Sequence, residues 1–298
     1  MVKEIKLVQS LIGGGKQLPF YLRCLASMTK HCQERISLLL HTDGTLNEKD
    51  IETISTNFGS QFVEIPDPTS ARENSLDQLT GRPNCQRLRK DSLWGIEFFD
   101  PLFSKPEDSI SRYIDADILF FRPFSNLFND SVTEGGAVFL RDKQWDAYSL
   151  RPWHLAGRKK KPEIVSGITT ALVCWDKQSL DWDYLEWFLG KVRFHAIPEW
   201  VLPTAQAGLA NRCKAKTVLH RQIPNLYPNA KLAEETFGAH LLGSYREQWK
   251  SKIETHKKAI PTKLSPTEAN FEPCKPRGAF AYTINQTKRW LNTRLNLW

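Results

Sequence analysis

The chain has 298 residues, 41% of them hydrophobic and 25% charged, which is enough to bury a large core and unlike a fibrous or disordered polymer. Its formal net charge of +8 suits an anionic partner (nucleic acid, an acidic membrane surface or small phosphorylated compounds) or no more than a cationic surface. No apolar run approaches the ~20 residues of a membrane span, and MVKEIKLVQS enters a strand-like segment without the apolar stretch of a signal peptide, so a cytoplasmic protein is expected.

In chain order, Ile5–Ile12 reads as a strand closed by Gly13-Gly14-Gly15, and Phe20, Leu22, Leu25 and Met28 predict a helix over about Pro19–His31. ISLLLH (Ile36–His41) is a second apolar strand, followed by the turn Thr42-Asp43-Gly44 and a helix over about Glu48–Asn57 capped by Asn47. Phe62–Ile65 is a short strand stopped by Pro66 and Pro68. Asp67–Pro83 is polar and is predicted to be a loop, and Cys85–Phe103 to be one helix. Arg112–Phe121 is predicted to be a strand ended by Arg122-Pro123, with another strand at Ala137–Leu140 and then a basic loop containing Arg158–Lys161. Ile168–Cys174 reads as a strand, Leu180–Leu189 and Thr204–Asn211 as helical, and Thr217–His220 as a short strand. Beyond Trp249, Ser251–Arg277 reads as an extended tail rich in Lys, Pro and Thr, and Tyr282–Trp298 as a basic helix. The β-α-β-α-β order and the continuously apolar strands predict an α/β fold with a mostly parallel sheet covered by helices. Residues 1–250 are expected to form the main unit, and residues 251–298 a basic C-terminal extension. Six cysteines without a CxxC pair suggest neither a zinc site nor a disulfide framework. Ten tryptophans serve either the core or flat sugar-binding platforms.

Two stretches carry chemistry on their own residues. Gly13-Gly14-Gly15-Lys16 lies between a strand and a helix, where α/β sheets bind nucleotides, although it matches neither GxxxxGK[ST] nor GxGxxG and also suits a plain tight turn. Ser111–Phe121 reads SRYIDADILFF, placing Asp115 and Asp117 in an apolar run where an ionised carboxylate is costly unless something pairs with it. Residues i and i+2 of a strand share a face, so two such carboxylates at a strand end can converge on one hard divalent cation and its phosphates; pairing with Arg112 and Arg122 is the simpler alternative.

A third stretch, HLLGSYREQW (His240–Trp249), changes the weight of the second. Together, DADxL (Asp115–Leu119) and this HxxGxxRxxW resemble the GT-A-fold, Rossmann-like nucleotide-sugar glycosyltransferases, above all glycosyltransferase family eight, the glycogenin and lipopolysaccharide galactosyltransferase group, whose motif is HxxGxxKPW. Lys90-x-x-x-Trp94-x-x-x-x-Phe99 looks like that family's KLxxWxLxxY helix, and Ser166-Gly167-Ile168 like its NSG segment. The resemblance implies a metal-dependent hexosyltransferase acting with retention on a UDP-sugar, UDP-glucose or UDP-galactose. Asp115, Asp117 and His240 would hold Mn²⁺ or Mg²⁺. Gly243 would admit the diphosphate, Arg246 and Lys90 would stabilise the leaving phosphates, and Asp117 would be indispensable to catalysis. Gly13, Asp43, Arg87, Ala116, Ser166, Gly167 and Gln206 would complete the donor site. Three departures stand out: Arg246-Glu247-Gln248 replaces Lys-Pro, Trp249 lies one residue further on, and Ala205 stands where the family has the aspartate of its DQ segment. Glu199 is the nearest acid in sequence that could replace it.

Two other classes fit some of these features. A sugar nucleotidyltransferase would carry a GxGTRxxP-type loop, which GGGKQLP matches only in part. A membrane-surface or nucleic-acid binder, or an inactive relative, would use the basic loop and C-terminus; the enzyme reading expects no nucleic acid, an unidentified acceptor, and a basic C-terminus able to lie on an anionic membrane.

Overall fold

The computed structural model describes residues 4–13, 15–59, 61–105, 107–129, 133–156, 161–191, 198–249, 252–253 and 265–295. Strands β1 (Ile5–Leu11) and β2 (Ile36–Thr42) pair in parallel from Ile5↔Ile36, and every residue of β2 is buried, as an apolar run covered on both faces requires. Between them, α1 (Leu18–His31) has Pro19 in its first turn and turns Leu18, Cys24, Leu25 and Met28 inward. Helix α2 (Glu48–Phe58) starts at a capping box in which the Asn47 side chain accepts from the Asp50 amide while Asp50 accepts from the Asn47 amide. Then come β3 (Val63–Glu64), α3 (Pro68–Gln78), α4 (Pro83–Asp91), α5 (Trp94–Phe103), β4 (Ile110–Ile114), β5 (Ile118–Phe120), β6 (Phe124–Ser125), β7 (Gly136–Arg141), β8 (Ile168–Asp176), α6 (Trp182–Lys191), α7 (Val201–Ala210), β9 (Lys214–Val218), β10 (Gly238–His240), β11 (Thr267–Glu268), β12 (Phe271–Pro273) and α8 (Ala279–Leu295).

The main sheet has eight strands among the described residues, in the order β12-β9-β7-β8-β4-β1-β2-β3. Its neighbours run parallel except at β8, which is antiparallel to β4 and β7, and at β12, antiparallel to β9. This is the mostly parallel, helix-covered α/β sheet expected from the sequence. One apolar layer lies under α1 and α2 around Leu7, Leu38, Leu40 and Phe124; a second lies under α5, α6 and α7 around Phe98, Phe99, Phe139 and Trp175.

Three local expectations are corrected. Residues 68–78 form α3 rather than loop, because Asp67 caps the Ser70 amide and Pro68 presets the first turn. Cys85–Phe103 is two helices: Ser92 is extended, its hydroxyl accepts from the Trp94 amide, and α5 begins so close to α4 that a Cβ on Gly95 would sit 2.6 Å from Arg89 Cα. Part of the 251–277 stretch is strand, with β12 extending the main sheet, while residues 254–264 lie outside the described residues, as do Arg158–Lys160 of the basic loop and Trp298. Helix α8 is tied down by Tyr282, fully buried, its hydroxyl between the carbonyls of Tyr148 (3.2 Å) and Leu150 (3.0 Å). Among the described residues no helix is long and apolar enough to cross a membrane.

Candidate functional site

Asp115 and Asp117 do not lie in one strand. The predicted Arg112–Phe121 strand breaks between them. Strand β4 stays in the main sheet, and the Asp115 amide extends its ladder by donating to Ala171 O at 2.7 Å. Strand β5 leaves that sheet and pairs antiparallel with β10, so that His240 faces Ile118 and the Leu241 amide donates to Asp117 O at 3.0 Å. An unbroken strand would push both carboxylates into the apolar layers; the break delivers them to the carboxyl end of β4, where open α/β sheets form ligand crevices. The same β5–β10 ribbon brings in His240 from over a hundred residues away.

One ligand atom from each of Asp115, Asp117 and His240 fits within 4.8 Å of the others. His240 Nε2 lies 3.2 Å from Asp117 Oδ1 and 3.8 Å from Asp115 Oδ2. The other ring nitrogen, Nδ1, is 2.8 Å from Asn225 Oδ1; donating there, it leaves Nε2 with its lone pair turned toward the carboxylates. Two acceptor atoms then face each other at 3.2 Å, an arrangement that a proton or a metal ion between them resolves. The Tyr113 hydroxyl donates to Asp115 Oδ1 at 2.7 Å and steadies it. Two carboxylates and one imidazole are a donor set for a divalent ion such as Mn²⁺, so the residues present fit the expected metal.

Arg246 closes the cluster from the other side. One nitrogen of its guanidinium is 3.2 Å from Asp117 Oδ2, another donates to Gln17 Oε1 at 2.9 Å, and the group lies 4.0 Å above the Phe20 ring. The HLLGSYR segment is thereby tied to the start of α1. Burial and the neighbouring Asp117 charge push Asp115 up to about 7. Burial acts on Asp117 in the same sense, but His240 and Arg246 outweigh it and hold that carboxyl below the usual range. Burial alone would lower His240; the two carboxylates overcome it and raise it.

Binding an ion here requires Asp115 ionised and His240 neutral, and both are proton-bound more readily than usual. The sign is the same for each, so ion affinity should rise with pH. Calorimetric titration of Mn²⁺ is expected to give at least about tenfold tighter binding at pH 8 than at pH 6, from the Asp115 proton alone.

The cluster also contains groups the sequence reading passed over. Glu97, on α5, is pushed well above the usual carboxylate range by burial and then by the charges of Asp115 and Asp117. Asp142, just after β7, accepts from the Tyr227 hydroxyl at 2.8 Å and contributes to the field at His240. Glu97 among the apolar residues of GIEFF was an available signal, of the same kind that singled out DAD; Asp142, between Arg141 and Lys143, gave none.

The other expected site residues fall in several places. Asp43 is occupied locally, accepting from the Gly13 amide (3.0 Å), the Thr45 amide (3.1 Å) and the Thr45 hydroxyl, which is the turn role together with a link between the ends of β1 and β2. Arg87 and Lys90 are exposed on α4 without a polar partner among the described residues, and the break before α5 separates them from Trp94. Ala116 is buried between the two aspartates, and Gly243 is exposed with open space around it. Ser166 is buried, its amide donating to Lys275 O. Gly167 has φ +56° and its amide donates to buried Asp146; a Cβ there would meet Asp142 O at 2.3 Å, so only glycine fits. Gln206 and Ala205 are buried on α7, and Gln206 Oε1 has no hydrogen-bond partner among the described residues. Glu199 is exposed in the turn before α7. Gly14 lies outside the described residues.

With this geometry in hand, comparison with solved structures places the architecture. The chain superposes on mouse xyloside xylosyltransferase 1 in its apo form with a TM-score of 0.56 at 10% identity, covering 81% of this chain and 99% of that one. It superposes on an active-site mutant of LgtC (TM-score 0.51, 10% identity, 88% and 98% covered) and on the galactosyltransferase LgtC in complex with donor and acceptor sugar analogs (TM-score 0.50, 11% identity, 88% and 98% covered). No family model and no curated protein matches the chain. The chain has the GT-A fold.

Proposed function

We propose that the chain is a metal-dependent glycosyltransferase that takes a hexose from a nucleotide-diphosphate sugar, UDP-glucose or UDP-galactose, and transfers it with retention to an acceptor. The observation that carries this reading is the convergence of Asp115, Asp117 and His240, with Arg246 beside them, at the carboxyl end of β4 in a GT-A fold. That the fold neighbours are a xylosyltransferase and a galactosyltransferase, the latter with donor and acceptor sugar analogs, supports glycosyl transfer.

Each residue has a defined task under this reading. Asp115, Asp117 and His240 would hold Mn²⁺ or Mg²⁺; the ion would supply Lewis-acid stabilisation of the departing diphosphate. Asn225 fixes the tautomer that makes His240 a ligand. Arg246, held by Gln17 and Phe20, would place a permanent positive charge where negative charge develops on the leaving phosphates. The exposed backbone at Gly243 leaves room for the diphosphate to approach. All of these residues precede 250, and the segment beyond it contributes an edge strand and a helix.

The test is release of UDP from a panel of UDP-sugars. Turnover of UDP-glucose or UDP-galactose, lost in excess EDTA and restored by Mn²⁺, is expected. Undiminished turnover in EDTA, or pyrophosphate release from a sugar 1-phosphate and a nucleoside triphosphate, would refute the proposal.

A further inference from the structure

A cavity of about 360 Å³ lies between α8, the turn Pro152–Leu155 and the start of α7. Its walls include Tyr148, Arg151, Trp200, Gln286, Arg289 and Trp290, and no carboxylate lines it among the described residues. The lining is therefore aromatic and positive at once.

Arg289 is the group that calls for an explanation. Its guanidinium lies 3.6 Å over the Trp200 ring and donates to Gln286 Oε1 at 3.1 Å. Burial depresses its pKa, and what opposes that depression among the described residues is the pair of phenols Tyr282 and Tyr227. A half-buried cation stacked on an indole beside an open cavity, with no carboxylate against it among the described residues, is chemically suited to an anion. Arg151 adds a second cation on the same wall, and its charge, like that of Arg289, is felt at the Tyr282 hydroxyl.

Between the cavity and the metal-site cluster there is electrostatic influence and one hydrogen bond rather than an unbroken run of contacts. The Arg289 charge acts on Tyr227, Tyr227 donates to Asp142 at 2.8 Å, and the Asp142 charge acts on His240. Loop 142–151 carries this link: it starts at Asp142 and ends at Arg151, and it is held to the C-terminal segment by buried Asp146. The Asp146 carboxylate pairs with Arg277 at 2.7 Å, and its backbone is bonded by Asn285 and Gln286.

We propose that this cavity is the acceptor subsite and that it takes an anionic saccharide, with a sugar ring against Trp290 and its acidic group on Arg289 and Arg151. The inference rests on the glycosyltransferase reading for the word acceptor, but not for the binding chemistry. Trp290 is 57% exposed and Arg294 lies over its ring at 5.5 Å, so a sugar would take the indole surface that Arg294 does not cover. Arg289, held by Trp200 and Gln286, suits a carboxylate or phosphate, and exposed Arg151 adds a second cation at the cavity; a neutral glycan would use neither charge.

The probes are three short oligosaccharides that differ only at the terminal residue: glucuronate, glucose 6-phosphate and glucose. Binding to the full chain is measured by calorimetry at low and high salt. The two acidic probes are expected to bind at least tenfold more tightly than the neutral one, with the stronger of them naming carboxylate or phosphate as the natural group. The preference should shrink at high salt and fall at least tenfold in Arg289→Gln. Arg151→Gln, at an exposed position, tests the same point where refolding is no concern, and is expected to lose severalfold. Equal binding of acidic and neutral probes, or retention of the preference in both variants, would overturn the inference. So would a preference for phosphatidylglycerol vesicles over all three saccharides. Binding of Mn²⁺ and UDP is recorded in parallel: saccharide binding without UDP binding would sink the transferase reading alone, and UDP binding without acidic-saccharide binding would sink this inference alone.

Discussion

Asp117→Ala is expected to cut metal-dependent sugar transfer by about a thousandfold or more. Asp117 is the carboxylate shared by both halves of the site: one oxygen faces His240 at 3.2 Å and the other faces Arg246 at 3.2 Å. Removing it would strip the ion of a ligand and Arg246 of its anchor. Metal stabilisation of a departing diphosphate contributes several kcal/mol, and at about 1.36 kcal/mol per tenfold that is roughly a factor of 10³. The fold should persist, because the substitution also relieves the crowding of Asp117 against Asp115 and Glu97. Asp117→Asn preserves the volume and the Arg246 contact but not the charge, and should be nearly as inactive. The readout is UDP release with Mn²⁺, alongside a circular dichroism spectrum; normal turnover by either variant would remove Asp117 from the mechanism.

Asp100→Ala is expected to cost about 3–5 kcal/mol of stability, the usual penalty for leaving a buried charge without its partner. Asp100, on α5, accepts from Arg89 Nε at 2.7 Å and from a terminal Arg89 nitrogen at 2.9 Å, with both side chains almost wholly buried. Ser75 of α3 donates to the same carboxylate at 2.7 Å, and His41 of β2 lies 3.6 Å away. The pair therefore braces α3, α4 and α5 against the sheet where α4 and α5 part. Thermal melting should fall by roughly 6–15 °C, at about 2–3 °C per kcal/mol for a chain of this size. A midpoint within about 2 °C of the unsubstituted chain would show that the brace carries no net stability. The contrast with Asp117 is the useful part: one buried aspartate is held by a structural cation, the other faces an open ligand site.

Both aspartates at the site were legible for the same reason. A carboxylate inside ILFF-like sequence is too costly to be incidental, and HLLGSYR supplied a histidine, a glycine and a cation at spacings suited to the same ion and phosphates. The parallel sheet was legible because ISLLLH sets Leu38, Leu39 and Leu40 in succession, apolar toward both faces rather than at alternate positions. What stayed hidden was set by contacts distant in sequence. The break of the DAD strand depends on β10 offering a partner to β5, and nothing local announces it. Helix α3 has no apolar stripe; its only signals were Asp67 as cap and Pro68 after it. Strand β12 hides in a Lys- and Pro-rich stretch because its pairing with β9 spans more than fifty residues. Asp43 is engaged by the Gly13 and Thr45 amides, and Lys90 is exposed on a helix separate from the one carrying Trp94; both placements depend on contacts the local sequence does not show.

The most direct test of the central claim is a crystal of the chain soaked with UDP and Mn²⁺ at pH 8, with the ion located by its anomalous signal. A single peak within bonding distance of Asp115, Asp117 and His240, with the diphosphate beside Arg246, is the expected result. UDP bound with the ion elsewhere, or bound with no ion at these three residues, would contradict it.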